Sequence, residues 1–228
     1  MKYSDISGAE FDEVIGGPKT SVGRKGSYAQ LGKRVFDIGF SIVLLPLIAP
    51  VLLVLAALVR RDGGPAFFGH ERIGLDGRRF RCWKVRSMVP DAEETLKRHL
   101  QDCPAAAAEW EESFKLKCDP RITRLGDLMR KTSLDELPQI WNVLRGDMSF
   151  VGPRPIVREE LARYGSEKNA YLSVRPGITG PWQVQGRNDI SYADRVGLDT
   201  AYVSNLSFMG DLRLIAMTIT VVLAATGR

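Results

Sequence analysis

The sequence has few of the residues on which metal centres and small secreted proteins depend. It contains only three cysteines, Cys82, Cys103 and Cys118, and no two of them form a C-x-x-C pair. An odd number of widely spaced cysteines predicts neither a disulfide framework nor a zinc site. The two histidines, His70 and His99, give little support to a histidine-based metal centre or a Ser-His-Asp triad. Any catalysis is therefore expected to depend on carboxylates, lysine, arginine and a bound cation.

The charge balance indicates an anionic partner without choosing one. The net charge of +5, from 32 basic and 27 acidic residues, suits nucleic acid, an acidic membrane surface or a phosphorylated substrate. None of the common nucleic-acid recognition motifs occurs, and nucleic-acid binding would leave a long apolar segment unexplained. The sequence therefore predicts no nucleic acid among the partners.

That apolar segment, residues 31–62, is the most distinctive part of the composition. Residues 38–59 contain no charged side chain, and a helix of this length is long enough to cross a bilayer core of roughly 30 Å. Pro46 and Pro50 lie near its centre, where each removes a helical hydrogen bond and bends the axis.

The charges that flank this segment are the same at both ends. Lys33 and Arg34 precede it, and Arg60 and Arg61 follow it. The positive-inside rule places both ends on the cytoplasmic side of a bilayer. A transmembrane helix with a proline kink is the alternative, but the symmetric flanks favour a re-entrant helix-break-helix hairpin.

The remaining pattern predicts an α/β fold that is mostly helical, with a small β-hairpin turning at Asp76-Gly77. We expect a mobile tail over residues 1–30, without the apolar core of a signal peptide. The membrane hairpin follows over residues 31–62, and a cytosolic, membrane-associated domain over residues 63–228. Amphipathic helices of this domain, including the short apolar run at the end of the chain, are expected to lie at the membrane interface.

Two adjacent carboxylates, Asp135 and Glu136, stand in the string SLDELPQ. One interpretation is a capping box, with Ser133 as the N-cap and Glu136 reaching back to its amide. Pro138 fits better in the first turn of a helix that begins around Asp135 or Glu136, which puts both carboxylates at the positive end of the helix. The predicted buried side consists of Leu137, Ile140, Trp141 and Leu144.

Two ionised neighbours repel each other unless a cation or several donors satisfy them. Mg²⁺ binds through one or two carboxylates together with phosphate oxygens, which makes Asp135 and Glu136 a candidate metal site. Arg154, held between Pro153 and Pro155, suits a fixed bidentate contact with phosphate. Other basic residues that lie close in sequence are Arg130, Lys131 and Arg145. From spacing alone, the capping and catalytic interpretations both stay open.

Several long strings then occur in a fixed order: KRVFD, KVRSM, DPRITRLGDLMRKTSLDELPQIWNVLRGDMSFVGPRP, RPGITGPWQVQGRN and LDTAYVSNLSF. On these strings, which lie within roughly residues 31–228, the chain resembles the bacterial sugar transferase family. These are monotopic phosphoglycosyl transferases that act on polyprenyl (undecaprenyl) phosphate. The helical insertion between KVRSM and DPRIT makes the chain similar to the short hexose-1-phosphate transferases that initiate exopolysaccharide or O-antigen synthesis. The resemblance implies a location at the bacterial cytoplasmic membrane, with the catalytic domain on the cytoplasmic face.

The resemblance also implies a mechanism. Asp135 would attack the β-phosphate of a UDP-hexose, with galactose or glucose expected, release UMP and form a covalent phosphosugar-aspartate. Polyprenyl phosphate would then take the phosphosugar, giving polyprenyl-diphosphate-hexose. Glu136 would hold Mg²⁺ with Asp135, and Arg154 would bind phosphate.

Three further residues match functional positions of the family: Lys84, Arg130 and Asp199. The structural alternatives are a solvated surface charge for Lys84 and Arg130, and an ion pair on a helix surface for Asp199. The Ser-Pro break of the family's membrane hairpin corresponds here to Ala49-Pro50, with Pro46 upstream, so the breaking residue is not determined. A non-catalytic membrane-surface scaffold of the same fold is the competing function, and a homodimer is left open.

Overall fold

A computed structural model of the protein describes residues 28–113, 115–185 and 190–223. Most of the predicted tail lies outside these residues. The described chain begins with a single π-helical turn, Tyr28–Gly32, which leads directly into the first helix.

The predicted membrane segment forms one helix, α1, over Lys33–Val59, followed by a 3-10 turn at Arg60–Asp62. Pro46 and Pro50 both lie inside it, so the predicted break into two helices is not observed. A proline removes one backbone donor and bends the axis, and helical geometry can continue on either side of the bend. By length and composition the segment could cross a membrane, and only 11% of its most apolar window is buried.

Both ends of α1 are held by the same globular body. At the start, Arg34 donates to the carbonyl oxygens of Val143 and Leu144, at 2.5 and 2.7 Å. At the end, the Arg86 side chain donates to the Val59 carbonyl at 3.1 Å. Between these ends one side of the helix packs against two core clusters, while much of the rest is apolar and exposed.

The predicted hairpin is confirmed. Strands β1 (Phe67–Ile73) and β2 (Arg79–Val85) pair antiparallel. Asp76 and Gly77 both adopt positive φ, 56° and 76°, the combination that a tight turn with the twist of the flanking strands requires.

The rest of the described chain is mostly helical, in agreement with the predicted class. A second, parallel pair of short strands joins β3 (Ser149–Val151) to β4 (Gly177–Thr179). The remaining α-helices are α2 (Ala92–Asp102), α3 (Pro104–Ser113), α4 (Arg124–Lys131), α5 (Gln139–Arg145), α6 (Lys168–Leu172), α7 (Pro181–Gln185), α8 (Tyr192–Ser204) and α9 (Phe208–Leu223). The 3-10 segments of this part are Leu134–Glu136 and Glu159–Glu167.

The segment around the two carboxylates differs from the prediction. Ser133 takes a left-handed conformation and its side chain makes no capping hydrogen bond, so the capping-box interpretation is wrong. The chain forms a 3-10 turn through the carboxylates, and the α-helix starts only after Pro138. Ile140 is buried as predicted, but Trp141 is 56% exposed. The buried side of this short helix is instead completed by Asn142 and Val143.

Candidate active site

The two carboxylates lie on the 3-10 turn between α4 and α5, against strand β2. Asp135 is buried, and Glu136 is partly exposed. The Glu136 backbone N–H donates to the Ser133 carbonyl at 3.2 Å, which helps to close the turn. The turn therefore directs one carboxylate into the protein and leaves its neighbour at the edge of a pocket.

Lys84 of β2 satisfies both carboxylates. Its ammonium lies 2.6 Å from Glu136 Oε1 and 3.7 Å from Asp135 Oδ2. Burial raises the pKa of the Asp135 carboxyl, and the charge of Lys84 acts in the opposite direction. The surface-charge alternative for Lys84 is wrong, because this lysine favours the ionised form of Asp135, which is the form that can act as a nucleophile.

A buried amide on α5 fixes the turn relative to β2. The Asn142 side chain donates to the Arg81 carbonyl at 2.7 Å and accepts from the Trp83 N–H at 3.0 Å. It is fully buried, so a substitution that removed the amide would leave strand groups without partners. The sequence signal for this residue is a polar amide inside the largely apolar string QIWNVLR.

Arg154 reaches the same pocket from the loop after β3. Its loop is held by close backbone packing: the Gly152 N–H donates to the Thr179 carbonyl at 2.9 Å, and the Gly177 N–H donates to the Pro153 carbonyl at 2.8 Å. A Cβ on Gly177 would lie 2.1 Å from the Gly152 nitrogen, which leaves no room for a side chain. The VGPRP and RPGITG strings therefore form one unit that positions the arginine.

Arg130, at the end of α4, connects the turn to the chain beyond β2. Its Nε donates to the Ser87 hydroxyl at 2.9 Å. Its charge also acts to lower the pKa of Asp135, more weakly than that of Lys84. The structure therefore places Arg130 beside the dyad, but not among the residues that line the pocket.

The pocket itself encloses about 370 Å³, part of it open to solvent, and its walls include Lys84, Glu136 and Arg154. His70, Arg72, Cys82 and Gln139 also line it, and sequence reasoning missed them as site residues. Cys82 is not a competing nucleophile, because burial raises the pKa of its thiol to about 11. Among the described residues, Glu136 at the pocket wall and Asp135 just behind it are therefore the better candidates for a nucleophile.

A comparison with known protein families shows to which family the chain belongs. The sequence model described as "Bacterial sugar transferase" matches residues 28–225. The chain belongs to the bacterial sugar transferase family. The match covers almost all of the described residues, including the membrane segment, the dyad and both sheets.

Curated relatives of this sugar transferase differ in length. The UDP-galactose-lipid carrier transferase of Erwinia amylovora is 52% identical over 195 residues, which are 86% of this chain and 41% of the relative. The undecaprenyl-phosphate galactose phosphotransferase of Salmonella typhimurium is 53% identical with the same coverage. The exopolysaccharide production protein ExoY of Sinorhizobium fredii is 46% identical over 198 residues, 86% of this chain and 88% of the relative. The chain thus spans about two fifths of the first two relatives and most of the third.

The dyad of this sugar transferase has the donor set of a hard cation. Among the described residues no cluster of three or more His, Cys, Asp or Glu is found, so a cage made only of protein ligands is not present there. Mg²⁺ does not need one, because it commonly binds one or two carboxylates and completes its shell with phosphate oxygens and water. Asp135 and Glu136 fit that pattern, and Lys84 is the group that satisfies them without a metal.

Asp199 of the sugar transferase lies apart from this pocket. It is buried in helix α8, where Tyr164 donates to its Oδ2 at 2.7 Å. The predicted ion pair on a helix surface is therefore wrong. Burial raises the pKa of Asp199 to about 7. Asp199 is not among the residues that line the pocket, and its role in substrate binding stays a prediction.

This buried carboxyl makes stability fall as the pH rises. Its pKa in the folded state, about 7, is above the ordinary value of 3.8. Between pH 3.8 and pH 7 the carboxyl is therefore protonated in the folded protein and ionised in the unfolded chain, which favours unfolding as the pH rises. The free energy of unfolding is expected to decrease by a few kcal/mol across this window. Asp199→Asn should remove this dependence and stabilise the protein at pH 8, as measured by chemical denaturation at pH 5 and pH 8. An unchanged pH dependence in the variant would contradict the assignment.

Proposed function

We propose that this protein transfers a hexose-1-phosphate from a UDP-hexose to polyprenyl (undecaprenyl) phosphate, through a covalent phosphosugar-aspartate. One observation carries the proposal: Glu136, Lys84 and Arg154 line one pocket, and the buried Asp135 lies directly behind Lys84, 3.7 Å from its ammonium. A buried carboxylate beside a lysine suits nucleophilic attack, and the cations suit a phosphoryl group whose charge must be stabilised.

In the first step, an oxygen of the Asp135 carboxylate attacks the β-phosphorus of the donor. A bond forms between this oxygen and phosphorus, and the bond from phosphorus to the oxygen that bridges to the α-phosphate breaks. UMP leaves with that electron pair on its phosphate. The side chain of Arg154 is placed to bind phosphate oxygens during this step.

In the second step, a phosphate oxygen of the polyprenyl phosphate attacks the same phosphorus. The bond to the Asp135 oxygen breaks, so the carboxylate is restored and polyprenyl-diphosphate-hexose is released. Lys84 stabilises the returning negative charge. A bound Mg²⁺ would supply charge neutralisation on the phosphate oxygens, and Asp135 and Glu136 are the residues that would hold it.

The names of the relatives support this choice of substrates. One relative is a UDP-galactose-lipid carrier transferase, and another is an undecaprenyl-phosphate galactose phosphotransferase. A third, from Komagataeibacter xylinus, is an undecaprenyl-phosphate glucose phosphotransferase, at 37% identity. UDP-galactose or UDP-glucose is therefore the proposed donor, and the first membrane step of exopolysaccharide or O-antigen synthesis is the proposed place of the reaction.

We also propose that the protein is monotopic, with its catalytic domain on the cytoplasmic face of the bacterial membrane. The two ends of a helix that crosses a bilayer are separated by roughly 30 Å of hydrocarbon. Here Arg34, near the start of α1, and Val59, at its end, both contact the same body. Apolar side chains exposed on other elements, Trp141, Phe208 and Leu212, suit contact with lipid near that face.

Labelling of single cysteines tests this topology. Cys118 is exposed in the catalytic domain and marks its side of the membrane. Leu31→Cys and Arg61→Cys, each combined with Cys103→Ser and Cys118→Ser, report on the two ends of α1, since the remaining Cys82 is buried. We expect both to react with a membrane-impermeant maleimide only after the cells are lysed, as Cys118 does. Reaction of the two ends on opposite sides would contradict the monotopic arrangement.

The reaction itself is tested by UMP release from a panel of UDP-sugars with polyprenyl phosphate and Mg²⁺. We expect release with UDP-galactose or UDP-glucose, and formation of a lipid-linked sugar in equal amount. Absence of UMP release from every UDP-sugar in the panel would refute the proposal and favour the non-catalytic scaffold. Omission of Mg²⁺ in the presence of a chelator tests the metal in the same assay.

A further inference from the structure

Sequence reasoning assigned Lys84 to the site but did not follow the rest of its hairpin face. Side chains alternate between the two faces of a strand, and His70 of β1 is directly paired with Cys82 of β2. These two residues share a face with Lys84 and with Arg72, and all four line the pocket. The hairpin therefore presents a second cation, Arg72, to the pocket that Lys84 and Glu136 line.

Arg72 has no charged partner of its own. Within the part of the chain that the structure describes, its half-buried guanidinium makes no ion pair with a carboxylate, although Glu160 lies near enough to attract it. Burial and the charge of Arg154 both lower the pKa of Arg72. The repulsion between two guanidinium groups at one pocket destabilises the empty site, and an anion bound between them offsets this repulsion.

Arg154 is the other arginine that lines the pocket. Its guanidinium lies 5.6 Å from the ring centre of Trp182, which is buried, and this stacking fixes the orientation of the group without neutralising its charge. Lys84, in contrast, is already paired with Glu136 at 2.6 Å. Among the described residues, Arg72 and Arg154 are therefore the two arginines that line the pocket without an ion pair to a carboxylate.

We propose that Arg72 and Arg154 form a phosphate subsite that is used twice: by the phosphate of UMP as it leaves, and by the phosphate of the polyprenyl acceptor as it attacks. This inference rests on the proposed function. It adds Arg72 to the substrate-binding residues and assigns one subsite to both substrates.

The double use follows from the direction of the two displacements. Phosphoryl transfer places the attacking and leaving oxygens roughly in line. Asp135 attacks in the first step and leaves in the second, so UMP departs from, and the acceptor enters at, the side of phosphorus opposite to Asp135. The two groups are both phosphate monoesters, and a pair of guanidinium forks suits each of them equally.

The first test is equilibrium binding of UDP to the full chain in detergent. Arg72→Gln should weaken binding by about 10- to 100-fold, the loss expected for a charged hydrogen-bond partner. The affinity of Arg72→Lys for UDP should lie between those of the parent and of Arg72→Gln, because lysine keeps the positive charge but lacks the paired N–H donors of the guanidinium. Arg81→Gln is the matched control, because Arg81 is an exposed arginine on the opposite face of the same hairpin; it should change binding by less than about 2-fold.

The melting temperature separates this role from a structural one. If Arg72 is kept for its ligand, Arg72→Gln removes a repulsion, and the protein without ligand should melt at the same temperature as the parent or higher. A clear decrease in melting temperature, or UDP binding equal to that of the parent, would overturn the subsite.

Two half-reactions distinguish the two sources of phosphate. Exchange of labelled UMP into UDP-sugar, measured without lipid, reports how well the subsite binds the phosphate of UMP. Turnover at saturating UDP-sugar and limiting polyprenyl phosphate reports how well it binds the phosphate of the lipid. Arg72→Gln should impair both, and an effect on the exchange alone would refute the shared use. If the parent binds UDP through Arg72 but releases no UMP from any UDP-sugar, the proposed function fails and the anion subsite stands.

Discussion

Asp135→Asn should reduce UMP release at least about 1000-fold, because it removes the oxygen that forms the covalent bond to phosphorus. The fold should survive this change. Burial already raises the pKa of the Asp135 carboxyl, so a neutral side chain of the same shape suits its environment. The measurement is UMP release with the UDP-sugar that the parent uses best, together with the melting temperature of the variant.

Asp127→Asn is the matched control for this experiment. Asp127 is an exposed carboxylate on α4 that pairs with Lys131 at 2.5 Å, and the loss of such a surface pair costs less than about 1 kcal/mol. Its activity should equal that of the parent. Full activity of Asp135→Asn would refute the assigned nucleophile, and an inactive Asp127→Asn would show that the assay responds to changes outside the site.

Features that depend on neighbouring residues were predictable from the sequence. The hairpin turn at Asp76-Gly77 follows from two residues that tolerate positive φ, and the break between α2 and α3 coincides with Cys103-Pro104. In each case the signal is the chemistry of one or two residues, and the tertiary structure does not oppose it. The dyad was found in the same way, as two adjacent carboxylates that need a partner.

Features that depend on distant contacts were not predictable in this way. Trp141 was expected on the buried side of its helix, but Asn142 takes a buried position because two backbone groups of β2 require its amide. For Asp199 the structural alternative to a functional role was an ion pair on a helix surface, and the packing of α8 against Tyr164 buries it instead. Arg72 is intermediate, because alternation along the hairpin from Lys84 would have identified it.

The strongest expected effect on stability comes from the buried cluster at the start of α1. Asp211 of α9 is fully buried and lies 2.6 Å from the ammonium of Lys33, the first residue of α1. It also accepts hydrogen bonds from Tyr28 at 2.6 Å and from Tyr202 at 2.8 Å. One carboxylate of α9 thus connects the beginning of α1 to α8.

Asp211→Asn should lower the free energy of unfolding by about 3 kcal/mol, because the buried Lys33 ammonium loses the carboxylate 2.6 Å away and is left with its electrostatic interaction with Asp37. The measurement is chemical denaturation of the detergent-purified chain at neutral pH. Glu71→Gln, which removes the exposed pair with Arg79, should cost less than about 1 kcal/mol and is the control for the loss of an ion pair as such.

The double variant Lys33→Met with Asp211→Asn separates the buried charge from the other contacts of the cluster. It should recover most of the stability, since the buried Lys33 charge is gone, and the asparagine side chain can accept from one tyrosine and donate its amide to the hydroxyl oxygen of the other. A single variant as stable as the parent would contradict the cluster. A double variant as unstable as Asp211→Asn would place the stabilisation in the tyrosine hydrogen bonds, and the anchor of α1 would then depend on Tyr28 and Tyr202 instead of on the ion pair.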